Sequence, residues 1–195
     1  ILEAWYAGQE AGTAVAEALF GDINPGGKLP VTVARNVGQL PVFYSHKPSA
    51  RRGYLFDTTE PLFPFGHGLS YTTFEVSAPR LSTDTIGGDG RVTVAVEVTN
   101  TGDRAGDEVV QLYIRDEVSA VTRPVLELRG FERVTLERGE SRTVRLELGP
   151  DELAYTGPDM HRVVEPGTFR VCTGPSSAVL ECVPLEVTGP EHALP

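Results

Sequence analysis

The stretch RVTVAVEVTNTGDRAGDEVVQLYIRD (Arg91 to Asp116) decides the fold. In its first part Val92, Val94, Val96 and Val98 alternate with polar or small residues. In its last part Val110, Leu112 and Ile114 do the same. A period of two puts each set on one face of a pleated strand. Between them lies NTGDRAGD, whose Asn, Gly and Asp residues favour a turn. Two half-buried strands joined by a polar turn are the repeating unit of an antiparallel sheet.

Working outward, the same period returns in RTVRLELG, at Val144, Leu146 and Leu148, and in GTFRV, at Phe169 and Val171. The clusters LERGES, TGPD, EPG and TGPSS separate the runs. About seven short strands at this spacing predict an all-β immunoglobulin-like sandwich of fibronectin type III kind. It would occupy residues 74–189, roughly 115 residues, enough to own a core. The acidic residues along it fall at alternating outward positions, which reads as solubility.

Residues 1–35 follow other rules. ILEAWY reads as a buried strand and AGQEAG as a turn. TAVAEALF puts Ala14, Val15, Ala18 and Leu19 on one helical face, with Gly21 as its C-cap. KLPVTV reads as a second strand. Strand, helix and strand with short connections predict an α/β fragment, the end of an α/β sandwich. Two strands and one helix cannot cover both faces of a sheet, so the piece needs neighbours. Residues 36–73, rich in Pro, Gly, Tyr and Phe, have no period and read as an extended interdomain connector. Its end, PLFPFGHGLSYTTF, is too broken for a helix and too apolar for a solvated loop. Residues 190–195 read as a tail.

The formal charge is −10, which disfavours nucleic acid and anionic membranes as partners. No apolar run approaches the ~18 residues of a membrane span. The chain opens on ILEAWY without an initiator Met, and reads as a piece of a longer protein. Cys172 and Cys182 flank a predicted hairpin turn, where their sulfurs fall roughly opposite each other. A cross-strand disulfide is open, but the rarity of disulfides inside cells favours free thiols. Gly8, Gly12 and Gly21 do not form a phosphate loop. His46, His67, His161 and His192 are scattered without ligand spacing. Ser70 lacks the strand–turn–helix frame of a nucleophile. Arg51 and Arg52 stand near Asp57 and Glu60 as candidate surface ion pairs. No cofactor and no metal are called for.

The best chemical position is the first turn. Ligands of open α/β sheets bind beyond the carboxyl ends of the strands. There Trp5 supplies an aromatic face, and Gln9 and Glu10 supply an amide and a carboxylate just ahead of the helix. That set suits a sugar, which offers apolar ring faces and hydroxyls. The plainer reading makes Trp5 and Tyr6 core, and Glu10 a helix N-terminal charge.

Five motifs in order carry a resemblance: AWYAGQEAGTAVAEALFGDINPGGKLPVT, RRGYLFDTTEPLFPFGHGLSYTTFE, VTNTGDRAGDEVVQLYIRD, TRPVLELRGFERVTLERGE and VVEPGTFRVCTGPSS. Together they resemble the C-terminal part of glycoside hydrolase family 3, which includes β-glucosidases and β-xylosidases. The resemblance implies the end of an α/β sandwich domain, a connector and a fibronectin type III-like domain. It implies retaining hydrolysis of terminal β-linked sugars by two carboxyl groups. The family's Asp nucleophile and Glu acid/base would both lie in N-terminal catalytic domains outside this chain, so no residue here is assigned as catalytic. Trp5, Gln9 and Glu10 are left as substrate-binding candidates. Where relatives often show PGxEGG, this chain has Ala7 and Ala11. The other reading of the sequence is a stand-alone fibronectin-like module, binding sugar or purely structural.

Overall fold

A computed structural model describes residues 1–50 and 56–195. The expected pairing of Arg51 and Arg52 lies outside the described residues.

The alternating valines of residues 92–98 are all buried, and they form the middle of the first sheet. Here β4 (Val92–Asn100) pairs β7 (Ser141–Leu148) along one edge. Along the other it pairs β1 (Phe74–Val76) and then β2 (Arg80–Leu81). The second sheet contains β3 (Thr85–Gly87), β5 (Gly106–Asp116), β6 (Glu127–Leu136), β10 (Gly167–Ser176) and β11 (Val179–Thr188). Its spatial order is β3-β11-β10-β5-β6, antiparallel except for the β3–β11 pair. A small third sheet joins β8 (Tyr155–Thr156), β9 (Arg162–Val164) and β12 (His192–Ala193), so chain beyond residue 190 is folded in. A helical turn, α2 (Pro150–Leu153), leads from β7 toward it.

The inward residues of both large sheets meet in one core. Val94, Val96 and Val98 from the first face Val110, Leu112, Ile114, Phe169 and Val171 from the second. Each such side chain contributes about 1.5–3 kcal/mol when fully buried. The predicted sandwich is therefore present, with more strands than the sequence pattern resolves.

The first 35 residues differ from expectation. The helix forms as α1 (Ala11–Phe20) and ends at Gly21, which adopts a left-handed conformation (φ 82°) and donates to the Glu17 carbonyl. Ala11 sits inside the helix, so the turn needs no glycine there. The flanking strands do not form. ILEAWY is exposed and irregular, and KLPVTV makes one isolated bridge, Val33 to Phe63. A strand exists only with a partner to hydrogen-bond, and the described residues offer ILEAWY none. For the same reason the apolar face of α1 is uncovered: only Ala18 is buried, while Leu19 is 65% and Phe20 86% exposed.

Parts of residues 36–73 lie against other surfaces of the molecule. Leu29 N–H donates to the His67 carbonyl and Gly66 N–H to the Leu29 carbonyl, both at 2.8 Å. The Phe65 carbonyl accepts from the N–H and the hydroxyl of Ser177 in the β10–β11 turn, each at 3.0 Å. The Phe65 ring stacks on Tyr44 at 4.4 Å, and Tyr44 meets the edge of the buried Tyr113 at 5.7 Å. Gly66 has φ +78°, and a Cβ there would stand 2.1 Å from Gln111 Oε1, so no larger residue fits without displacing that side chain.

Two further expectations are corrected. Cys172 and Cys182 are not free thiols but are joined, with an S–S distance of 2.04 Å. The hairpin register pairs them directly, as their spacing about the turn allows, and this geometry outweighs the compartment argument for free thiols. Nor do all sandwich carboxylates face water. The Asp116 and Glu127 side chains are 2% and 19% exposed, and both bind the buried Arg123, at 3.1 and 2.9 Å. Arg123 also donates to the Leu153 carbonyl and lies against the Tyr155 and Phe169 rings. A buried charge is tolerated only with such partners.

Candidate functional site

Trp5, Gln9 and Glu10 share one exposed segment that runs directly into α1. The segment is tied to the helix by its backbone: Ala11 N–H donates to the Gly8 carbonyl at 3.1 Å, and Ala14 N–H to the Glu10 carbonyl at 3.0 Å. The Glu10 carboxylate stands at the positive end of α1, where a negative charge is favoured. Gln9 precedes it with its amide in solvent. Trp5 is 58% exposed, and its backbone N–H donates to Glu3 Oε1 at 3.1 Å. Its φ of 48° is unusual for so bulky a residue, a conformation that costs on the order of 1–2 kcal/mol. An indole face, an amide and a carboxylate are the groups that read a sugar ring and its hydroxyls. All three residues are exposed.

A second concavity, which sequence reasoning missed, lies between the connector and the outer face of the second sheet. It has a volume of about 380 Å³. Phe43, Tyr44 and Pro64 form one side, and Arg115, Arg170 and the disulfide the other. Arg115 and Arg170 are register partners on adjacent strands and both approach Glu117, at 3.9 and 3.5 Å. The lining comes from segments far apart in the chain, so no local motif announces it.

Titration shifts in the described residues belong to the sandwich. Burial, with Tyr44 alongside, pushes the Tyr113 phenol well up. Burial and the adjacent Glu165 carboxylate push Tyr155 up to about 12. Asp116 is raised by burial, against the pull of Arg123. These groups hold the fold; none lies on the Trp5–Glu10 segment.

Comparison with known proteins adds the following. Residues 1–71 match the pattern described as Glycosyl hydrolase family 3 C-terminal domain, and residues 108–177 that of the Fibronectin type III-like domain. The chain is 52% identical over 181 residues to a beta-xylosidase of Formosa agariphila, covering 91% of this chain and 25% of that protein. It is 48% identical over 189 residues to a periplasmic beta-glucosidase of Salmonella typhimurium, with coverages of 91% and 25%. Among solved structures, a β-glucosidase from Erythrobacter marinus superposes with a TM-score of 0.93 at 50% identity, covering 95% of this chain and 25% of that one. The Listeria innocua β-glucosidase in complex with glucose superposes at 0.91 with 36% identity, covering 96% and 28%. The chain thus spans about a quarter of the length of these relatives.

Proposed function

This chain belongs to glycosyl hydrolase family 3, and from that premise we propose that it completes a retaining, exo-acting β-glycosidase, a β-glucosidase or β-xylosidase, as its C-terminal portion. The observation that carries the reading is the uncovered apolar surface ahead of the sandwich. Leu19, Phe20 and Ile23 of α1 and its following turn stand in water, as do Trp5 and Tyr6 ahead of the helix. Large apolar side chains left in water together on one segment mark a contact surface, and the N-terminal catalytic domains are the partner it fits.

On this reading residues 1–35 end the α/β sandwich domain, 36–73 form the connector and 74–189 the fibronectin type III-like domain, onto which the tail of residues 190–195 folds back through β12. The substrate is a β-linked oligosaccharide or glycoside. Trp5, Gln9 and Glu10 line the rim of its pocket: the indole packs on a sugar ring face, and the amide and carboxylate take hydroxyls. The chemistry needs a nucleophile and an acid/base about 5–5.5 Å apart. Both come from the N-terminal domains, and this chain orients the sugar for them.

The test is turnover. The isolated 195-residue chain is expected to release no aryl alcohol from aryl β-glucosides or β-xylosides, whereas the full-length enzyme does. Turnover by the isolated chain would overturn the assignment of both carboxylates to other domains. Sugar binding confined to residues 74–189 would instead favour the stand-alone module.

A further inference from the structure

The fibronectin type III-like sandwich has a core of its own, but its joint to α1 is not mere apolar glue. Asn24 is the hub. Its Nδ2 donates to the Ala105 carbonyl of the β4–β5 turn at 2.9 Å. Its Oδ1 accepts from the Tyr71 N–H at 2.7 Å and from the Ser70 hydroxyl at 3.0 Å. Tyr71 carries the contact on to the helix: its hydroxyl donates to the Ala18 carbonyl at 2.7 Å. The Arg104 guanidinium lies over the same ring, 5.9 Å from its centre. Alongside, Lys28 and Glu108 form an ion pair of 2.6 Å, with side chains 12% and 9% exposed.

The last carbonyls of a helix lack intrahelical partners. In α1 the Glu17 carbonyl is taken by the chain that follows the helix, and the Ala18 carbonyl by Tyr71, from fifty-three residues away. Directed hydrogen bonds at that end fix the angle of the helix as well as its position. Ten helical residues make a rod of about 15 Å. A small rotation at the Ala18 end therefore displaces the Gln9–Glu10 end.

We propose that Asn24, Tyr71 and Arg104 form a positioning latch through which the sandwich aims α1, and with it the Trp5–Glu10 segment, at the sugar. This rests on the reading of that segment as a pocket rim. The latch residues touch no substrate; they act through the helix.

Steady-state kinetics of the full-length enzyme on an aryl β-glycoside test it. Tyr71→Phe removes only the hydroxyl held by Ala18. Asn24→Asp keeps the acceptor for Ser70 and Tyr71 but loses the donor to Ala105. Each variant is expected to raise KM roughly fivefold, one hydrogen bond's worth of positioning. The expected kcat is little changed, and the melting temperature stays within about 2 °C. Unchanged KM in both variants, with or without a lower melting temperature, makes the joint purely structural and overturns the latch. Trp5→Ala and Gln9→Ala separate the two readings. If they raise KM and the latch variants do not, the rim stands and the latch falls. If they leave KM unchanged, the rim itself falls.

Discussion

Residues 1–73 and residues 74–195 obey different rules. The sandwich buries two interleaved sets of aliphatic side chains and satisfies its backbone by strand pairing. Among its described residues the preceding region has one α-helix, a short 3₁₀ turn at Val37–Gln39, no extended strand ladder, and a single buried apolar side chain, Ala18. Large apolar residues in water concentrate there; outside it they are only Val118, Phe131, Met160 and Val179 among the described residues. Apolar content alone does not make a core. What differs is whether a matching surface is present, and among the described residues α1 has none.

The contrast breaks or sharpens under substitution. The largest effect is expected at Phe169, buried in the core: Phe169→Ala should cost the isolated chain about 3–5 kcal/mol in denaturant unfolding. Phe20→Ala, on the exposed face of α1, should stay within about 0.5 kcal/mol in the same chain. Equal losses would erase the distinction between the regions. Next comes the disulfide, which closes a short loop of sequence separation 10. Replacing both cysteines by Ala should lower the sandwich's stability by about 2–3 kcal/mol, read from its thermal transition. The smallest effect concerns pH. The Thr135 hydroxyl hydrogen-bonded to Asp107 is the main cause that holds its carboxyl below the ordinary 3.8; burial opposes it, and Arg133 assists. A carboxylate with a depressed folded pKa stabilises above the unfolded value, and that stability is lost as pH falls through the folded one. Asp107→Asn should therefore narrow its stability deficit relative to the parent only below about pH 4, measured by denaturant midpoints at pH 7 and in acid.

The same contrast explains what was legible in the sequence. The valines of β4 and the aliphatics of β5 and β10 were readable because a strand with one buried face repeats every second residue, whatever its partner. The helix was readable from Ala14 to Leu19 with its glycine cap. ILEAWY and KLPVTV read as strands because apolar runs look alike whether or not a partner is present. The disulfide depended on hairpin register, which places Cys172 opposite Cys182. Arg123 was unreadable: its partners Asp116, Glu127 and Leu153 meet only after β5, β6 and α2 are packed. Of the candidate site, the location of Trp5, Gln9 and Glu10 ahead of α1 was legible. The tie that holds that helix through Asn24 and Tyr71 was not, because it joins segments forty-seven to eighty-one residues apart.

Hydrogen exchange tests the central claim most directly, by comparing the isolated chain with the same residues in the full-length enzyme. Amides of β4, β5 and β10 should be protected alike in both. The amides of α1 should exchange fast in the isolated chain and slow by orders of magnitude in the full-length enzyme, where its apolar face is covered. Equal protection of α1 in the two would contradict the claim that this region completes its core against the catalytic domains.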